Sequence, residues 1–407
     1  MPQSGGMGQA VNFLGALRAT TLGILGDKGP AMPAILGVIV YCFFYPLPYL
    51  PQTVRDVPVA VVDEDASELS RSLARNLDAT RDVRVVGVTR TVDEALPLMY
   101  AGRIGGIVTI PGNFNRDVIA GSATGITVMG NGGLMVLDGS LMAKAAEVTA
   151  ATVASDLAAN RAREGVPAAA IAQAARANPL FVKQPLFNVV QGYESYVVAA
   201  SMSLLVMQLL TIAISMAVGT WCEKGAWPIA PRGRLGPTAF AGMVAGFALF
   251  VLLGALFWIG FVFWYHDLPR ALNLGGAIAF ALLYSVTVAA FAITLGAWMA
   301  ERERPLQFVA AASIPLLFMS GFALPPETFS APIHLLSLPF PTTPGIRGFI
   351  ALNQMGARLD EIEPEILHLA VLCVLFLATA WFASSWRVSH ARSSAQDSSS
   401  LQPDARR

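Results

Sequence analysis

The sequence predicts a polytopic α-helical membrane protein, with six spans plus a re-entrant hairpin and an inserted external α/β domain. Of its 407 residues, 55% are hydrophobic and only 13% are charged, whereas soluble domains carry about 25% charged residues. Several apolar runs exceed the roughly 18 residues that cross a bilayer. One long polar stretch interrupts them. The formal net charge of zero argues against a nucleic-acid partner, which would require a basic surface.

The predicted chain begins with a cytoplasmic tail and an amphipathic elbow helix, residues 1–30. The stretch 11–25 is too weakly apolar to span, so we expect an interfacial helix against the inner leaflet. The charged residues of this elbow are Arg18, Asp27 and Lys28. The first span follows at residues 31–51, with its N-terminus in the cytoplasm.

Residues 52–188 form the predicted external (periplasmic) α/β domain. Strand-like runs lie at 57–62, 83–88, 104–110 and 126–129, and helix-like runs lie at 67–77, 92–100, 134–164 and 168–177. Strands that alternate with helices indicate an α/β fold. The acidic triplet Asp63-Glu64-Asp65 could bind a cation, but carboxylates favour helix N-termini in any case, and we favour the capping role.

Residues 189–386 form the predicted five-span membrane domain. Its spans lie at 196–221, 239–264, 274–299, 306–324 and 366–386. Gly242 and Gly246 have the G-x-x-x-G spacing that allows close helix approach. The hairpin, residues 325–365, contains apolar stretches too short to span. The Ser-rich residues 387–407 are predicted to be a disordered cytoplasmic tail.

The distribution of Lys and Arg predicts the orientation. With both termini inside, the cytoplasmic segments carry eleven basic residues and the outer segments near the membrane carry five. The positive-inside rule therefore favours this arrangement, in which the α/β domain is external. We expect a multi-pass protein of the bacterial cytoplasmic (inner) membrane, in contact with the lipid bilayer.

The chain lacks the usual means of driving transport by itself. No predicted span holds Asp, Glu, Lys or Arg near its middle, where the coupling group of a proton- or sodium-driven transporter lies. No stretch matches the phosphate-binding pattern G-x-x-x-x-G-K-[ST]. We expect no catalytic site, no metal and no directly bound cofactor, so energy for uphill transport would come from a partner on the cytoplasmic face.

Two features of the second span are candidate functional elements. Polar residues recur along one helical face, since seven residues fall about 20° short of two turns. They form a candidate path or dimer seam, or alternatively helix–helix contacts within one subunit: Glu194, Ser201, Gln208, Thr211 and Ser215. The span ends in a charged loop, which is the candidate entry point for outside energy: Glu223, Lys224, Gly225, Arg232 and Arg234.

The order of these parts resembles the membrane subunits of type-two ATP-binding-cassette exporters, particularly the branch with a large external insert. The resemblance covers nearly the whole chain and rests on five local patterns: Asp27-Lys28, Glu223-Lys224-Gly225 followed by Pro228, Leu295-Gly296 to Arg304, Ser320-Gly321-Phe322 with Pro325-Pro326, and Pro341 through Gly348. In one departure, Ala226-Trp227 replaces the family's usual Thr-(Leu/Trp)-Glu.

The resemblance implies a permease that acts as a homodimer or as a heterodimer with a sister permease. It implies two separate cytoplasmic ATPase subunits, which would use ATP and push on the elbow helix and on the charged loop. It is also compatible with a periplasmic adaptor. The substrate stays open among drugs, lipids and peptides.

Two other functions remain open from the sequence. The first is a non-transporting sensor or scaffold whose external domain binds a ligand, although a sensor would not need a five-span block with a hairpin. The second is a secondary transporter that uses Gln208 and Glu194.

Overall fold

The computed structural model of the protein describes residues 11–47, 56–120, 125–130, 135–170, 193–231, 233–268, 273–320 and 329–400. The chain divides into two compact units. We call Pro51–Gln191 the α/β unit, and Met1–Leu50 together with Gly192–Arg407 the helical unit.

The helical unit begins with two helices that meet at a sharp bend. Helix α1 (Phe13–Leu25) and helix α2 (Lys28–Phe44) are inclined by 81°. Asp27 accepts a hydrogen bond from the N–H of Gly29 at 3.0 Å and caps α2, as short acidic residues do at helix starts. The segment Met32–Gly37 within α2 is a π-helical turn. This arrangement matches an elbow followed by an apolar helix.

The α/β unit contains the predicted alternation of strands and helices. In chain order its elements are β1 (Val57–Asp63), α3 (Glu68–Asp78), β2 (Val83–Thr89), α4 (Val92–Tyr100), β3 (Gly106–Ile110), α5 (Phe114–Ala120), β4 (Thr127–Gly130) and α6 (Met135–Arg163). The sheet order is β2-β1-β3-β4, with the first three strands parallel and β4 antiparallel to β3. Helix α5 was not predicted, because seven residues are too few to show a helical period.

The sheet is covered on both faces, which explains why β1 is apolar almost throughout. Helices α3 and α6 cover one face with Leu73, Leu77 and Val148. Helix α4 covers the other face with Ala95. The last predicted helix of this domain, 168–177, extends beyond residue 170 into residues that the structure does not describe.

The rest of the helical unit is built from long apolar helices and a few shorter ones. They are α7 (Tyr193–Glu223), α8 (Pro237–Tyr265), α9 (Leu274–Met299), α10 (Arg304–Met319), α11 (Ala331–Ser337), α12 (Thr342–Gln354) and α13 (Glu363–Ser400). Within the described residues, four helices are long and apolar enough to cross a membrane, or up to five if α1 with α2 is one span. Helix α10 ends at Met319, and residues 321–324 of the predicted fifth span lie outside the described residues.

The predicted hairpin region contains the short helices α11 and α12. Helix α12 is largely buried against α9, where the Phe349 ring lies edge-on to Tyr284 at 5.3 Å and to Phe280 at 5.1 Å. A Cβ added at Gly345 would lie 2.5 Å from the Tyr284 ring. Small residues therefore let α12 approach α9 closely.

Helix α13 extends to Ser400, within the segment 387–407 for which the sequence predicts a disordered tail. The first residues of this segment make tertiary contacts. The Arg387 Nε donates to the carbonyl oxygen of Ala297 at 2.8 Å, and Val388 is 2% exposed. The Ser-rich composition does not reveal these contacts.

The close approach predicted at Gly242 and Gly246 is confirmed, and the approaching helix is α1. A Cβ added at Gly242 would overlap the carbonyl oxygen of Phe13, and one at Gly246 would lie 3.1 Å from the carbonyl oxygen of Leu17. Helix α1 buries Ala16 on this side. The elbow helix is therefore packed onto α8 and does not lie only against lipid.

Candidate functional site

Three chain segments meet at Arg302, which follows the end of α9. Its two terminal guanidinium nitrogens each donate to one carboxylate oxygen of Asp27, both at 2.7 Å. Its backbone N–H donates to the Glu223 carboxylate at 2.8 Å. Asp27 caps α2, and Glu223 is the last residue of α7. We call Asp27, Glu223 and Arg302 the Arg302 clamp. These residues join the start of α2 to the ends of α7 and α9.

The Asp27–Arg302 pair has the two-pronged geometry that makes guanidinium–carboxylate hydrogen bonds strong. The hydrogen bond from Arg302 lowers the pKa of the Asp27 carboxyl, against the opposing effect of burial. The same bond raises the pKa of Arg302. The two side chains are 30% and 29% exposed, so solvent weakens the pair relative to a fully buried one.

Two glycines provide the space that the clamp requires. A Cβ added at Gly29 would overlap the guanidinium of Arg302. A Cβ at Gly219 would lie 2.5 Å from the carbonyl oxygen of Glu301. A larger residue at Gly219 would displace the loop that carries Arg302, and one at Gly29 would displace the Arg302 guanidinium from Asp27.

The predicted elbow residues do not act as one group. Asp27 belongs to the clamp, whereas Arg18 and Lys28 are exposed. The sequence alone does not indicate that Arg302 is the partner of Asp27. The two residues are 275 positions apart in the chain, and no local pattern links residues at that distance.

The predicted charged loop begins where α7 ends. Glu223 belongs to the clamp, while Lys224 and Arg234 are exposed. Gly225 has a φ of 58°, the left-handed conformation that commonly ends helices. The backbone N–H of Ala226 donates to the carbonyl oxygen of Trp221 at 3.2 Å and closes this helix end. Arg232 lies outside the described residues.

This loop and the part of α13 at residues 388–391 line a cleft of about 1050 Å³. Its walls include Trp227 and Arg234 from the loop and Val388 and Ala391 from α13. Trp227 is 5% exposed. In the sequence it stands out only because Ala226-Trp227 differs from the family's usual residues. The cleft therefore has an apolar wall and a basic residue at the loop.

A series of aromatic contacts runs from this cleft to the elbow helix, α1. The Trp227 ring lies 5.8 Å from the Trp221 ring, which in turn stacks on Phe247 of α8 at 5.8 Å. A Cβ added at Gly23 of α1 would lie 3.1 Å from the Trp221 ring. Displacement of Trp227 would therefore shift the Trp221 ring, which contacts both α1 and α8.

The polar residues of α7 face mainly into their own chain. Ser201, Thr211 and Ser215 are buried. The Ser215 hydroxyl donates to the carbonyl oxygen of Ala292 in α9 at 2.9 Å, which is a helix–helix contact within one subunit. Gln208 is partly exposed. The side chain of Glu194 lies outside the described part of the chain.

Two carboxylates of the acidic triplet accept hydrogen bonds in the α/β unit. The Asp63 carboxylate accepts from the N–H groups of Asp65 and Ala66, which precede α3, and from the Ser70 hydroxyl at 2.9 to 3.2 Å. Asp65 accepts from the N–H of Asn115 in the first turn of α5 at 3.2 Å. The cap of α3 is Ser67, whose hydroxyl accepts from the N–H of Ser70, so the triplet caps α5 and not the helix that follows it in the chain. Among the described residues, no cluster of His, Cys, Asp and Glu could hold a metal ion.

The long apolar helices define a multi-pass membrane protein. Residues 31–382 match the family model described as ABC-2 family transporter protein, and the chain belongs to this family. It is thus a membrane component of an ABC transporter, a family whose permeases associate with ATPase subunits. Comparisons with curated proteins and with solved structures find no match.

Proposed function

We propose that this chain is the permease subunit of an ATP-driven exporter. It forms the translocation path with a second permease subunit, identical or related, and binds two cytoplasmic ATPase subunits. It crosses the bacterial cytoplasmic (inner) membrane six times, with both termini in the cytoplasm and the α/β unit outside. Family membership supports the transporter class, and the bias of basic residues supports the orientation.

The observation that carries this proposal is the Arg302 clamp beside the loop cleft. The clamp ties the start of α2 to the end of α7 and to the exit of α9. A force on the loop that begins at Glu223 would therefore act on three helices together. An ATPase subunit that binds in the cleft and closes on ATP would supply such a force, so the chain itself needs no nucleotide site.

The exported substrate would pass along a path formed by both permease subunits. Gln208 is partly exposed, in contrast to its buried neighbour Thr211. We assign Gln208, with Glu194, to this path or to the seam between subunits. An external α/β unit would stand at the exit, where it could contact a periplasmic adaptor.

Charge reversal at the loop tests this proposal. Lys224 and Arg234 are exposed, so Lys224→Glu with Arg234→Glu should leave the fold intact. Like charges across an interface cost several kcal/mol, and we expect loss of ATPase association and of transport-coupled ATP hydrolysis. The measurements are co-purification with the ATPase subunit and hydrolysis rates of the reconstituted complex.

The matched control is Arg84→Glu with Arg116→Glu, which reverses two exposed charges in the α/β unit. We expect normal association and hydrolysis in this variant. Normal coupling in the loop variant would refute the loop as the ATPase contact. A wild-type protein that binds ligands but never associates with an ATPase would instead support a sensor or scaffold.

A further inference from the structure

A second, smaller cleft lies between the end of α9 and the part of α13 that spans residues 382–387. Its volume is about 220 Å³. Three aromatic residues, two alanines and one arginine line it: Trp298, Phe382, Trp386, Ala297, Ala383 and Arg387. Trp298 is 74% exposed and Phe382 is 70% exposed. The cleft therefore presents large aromatic walls to the surroundings of the helical unit.

Arg387 supplies an uncompensated positive charge at this cleft. Its Nε and one terminal nitrogen donate to the carbonyl oxygens of Ala297 and Trp298 at 2.8 and 3.1 Å, groups that a helix end leaves without partners. Its guanidinium carbon lies 4.8 Å from the centre of the Trp386 ring. Across the described ranges, no carboxylate lies within ion-pair distance of Arg387. Its other terminal nitrogen is available to an external acceptor.

The position of the cleft relates it to the membrane surface. Arg302, which holds the loop end of the unit together, follows the end of α9 by three residues. The cleft therefore lies at the same end of the helical unit as the basic loop. In the orientation proposed above, this end meets the cytoplasmic leaflet, where anionic lipids attract basic residues.

The size and chemistry of the cleft favour one kind of occupant. Pockets for drug-sized molecules measure about 300–1,000 Å³, so 220 Å³ suits one segment of an acyl chain better. A guanidinium with a free donor suits a phosphate oxygen. We propose that this cleft binds an anionic phospholipid of the cytoplasmic leaflet. Its acyl chain lies between Trp298 and Phe382, and its phosphate accepts a hydrogen bond from Arg387.

Native mass spectrometry of the detergent-purified full chain tests this site without any ATPase subunit. The probes are dioleoyl phosphatidylglycerol and dioleoyl phosphatidylcholine. We expect the wild type to retain the anionic lipid about fivefold better, the factor that one basic residue near anionic lipid contributes, because the choline of phosphatidylcholine offsets the charge of its phosphate. Trp298→Ala and Phe382→Ala should each lower the retention of both lipids, because they remove the exposed walls that hold the acyl chain and leave the helix cap of Arg387 in place.

Trp264→Ala is the matched control, since Trp264 is 58% exposed at the other end of a long helix, α8. It should retain both lipids as well as the wild type does. Arg387→Gln keeps a donor for the α9 carbonyl groups and removes the charge, so it should retain both lipids equally. Equal retention of the two lipids by the wild type, or wild-type retention of both lipids by both aromatic variants, would overturn the proposal. If Arg387→Gln does not fold, the two aromatic variants still decide the question.

Discussion

The two units bury their inner surfaces by different means. In the α/β unit, α3 turns Leu69, Leu73 and Leu77 inward and leaves Glu68 and Arg71 exposed as an ion pair. In the helical unit, α9 is apolar on all sides, so hydrophobicity does not distinguish its inner face. Glycine, alanine and hydroxyl groups mark that face instead.

The difference follows from the solvent of each unit. In water, burial of apolar surface is favourable and selects the inner face. In lipid, an apolar side chain gains little by turning inward, and close packing and hydrogen bonds between helices take over. The contact of Gly296 with the Ser215 backbone illustrates this, because a Cβ there would lie 2.7 Å from the Ser215 carbonyl oxygen.

The largest expected effect comes from a charge on an exposed apolar position of each unit. Leu253 of α8 is 55% exposed and Ile119 of α5 is 64% exposed. Leu253→Lys should cost about 3 kcal/mol of membrane insertion, the usual cost of Lys at a span centre. Ile119→Lys faces water and should change stability by less than about 0.5 kcal/mol.

The amount of membrane-integrated protein and the melting temperature in detergent measure these two effects. Equal tolerance of Lys at both positions would contradict this difference between the two units. It would mean that the exposed face of α8 does not meet lipid.

A smaller effect is expected from filling a glycine contact. Gly242→Val places side-chain atoms against the Phe13 backbone and should destabilise the helical unit by about 1–3 kcal/mol, the usual cost of overpacking. Gly260→Val on the same helix is the control, because no atom lies within 4 Å of a Cβ added there. Thermal unfolding in detergent measures both variants. Equal melting temperatures for the two would show that α1 does not depend on this contact.

The smallest expected effect tests the clamp. Asp27→Asn keeps a good helix cap and removes the charge that faces Arg302. The free energy of unfolding at pH 7 should fall by about 1 kcal/mol, the upper range for partly exposed pairs. Two results would show that Asp27 and Arg302 do not stabilise the fold as a pair. One is unchanged stability of Asp27→Asn, and the other is additive effects of Asp27→Asn and Arg302→Gln in a double-mutant cycle.

The pH dependence of this difference has a defined sign. Arg302 lowers the pKa of Asp27 in the folded protein below the ordinary value of 3.8. The pair therefore stabilises the fold fully above that value, and the contribution is lost as the pH falls through the lower folded pKa. Melting temperatures of the wild type and Asp27→Asn should converge as the pH decreases below about 4.

Most of the secondary structure was predictable because its signals are local. The strand at 57–62 coincides with β1, and the span at 274–299 coincides with α9. The predictions were less accurate where tertiary contacts decide. At the start of the predicted tail, Arg387 of α13 donates to the end of α9 and Val388 is buried in the core of the helical unit, which a Ser-rich sequence does not indicate.

The candidate site was only partly predictable. Asp27 and Glu223 were selected because charged residues at the ends of apolar helices are easily identified. Their common partner Arg302 was not selected, since no sequence pattern indicates that the residues after α9 lie beside the start of α2. The stripe on α7 is a similar case: its seven-residue spacing places Ser201 and Ser215 on one helical face but does not reveal that both are buried within the subunit.

The sequence by itself determined which solvent each segment meets, because the length of an apolar run and the period of its polar residues are local properties. It also determined the strand and helix alternation of the α/β unit. Only the tertiary structure decided which residues meet: Asp27 with Arg302, α1 with Gly242, and Ser215 with Ala292. Helices that are apolar on every side can pack in many arrangements. Close contacts and hydrogen bonds between distant residues select one of them.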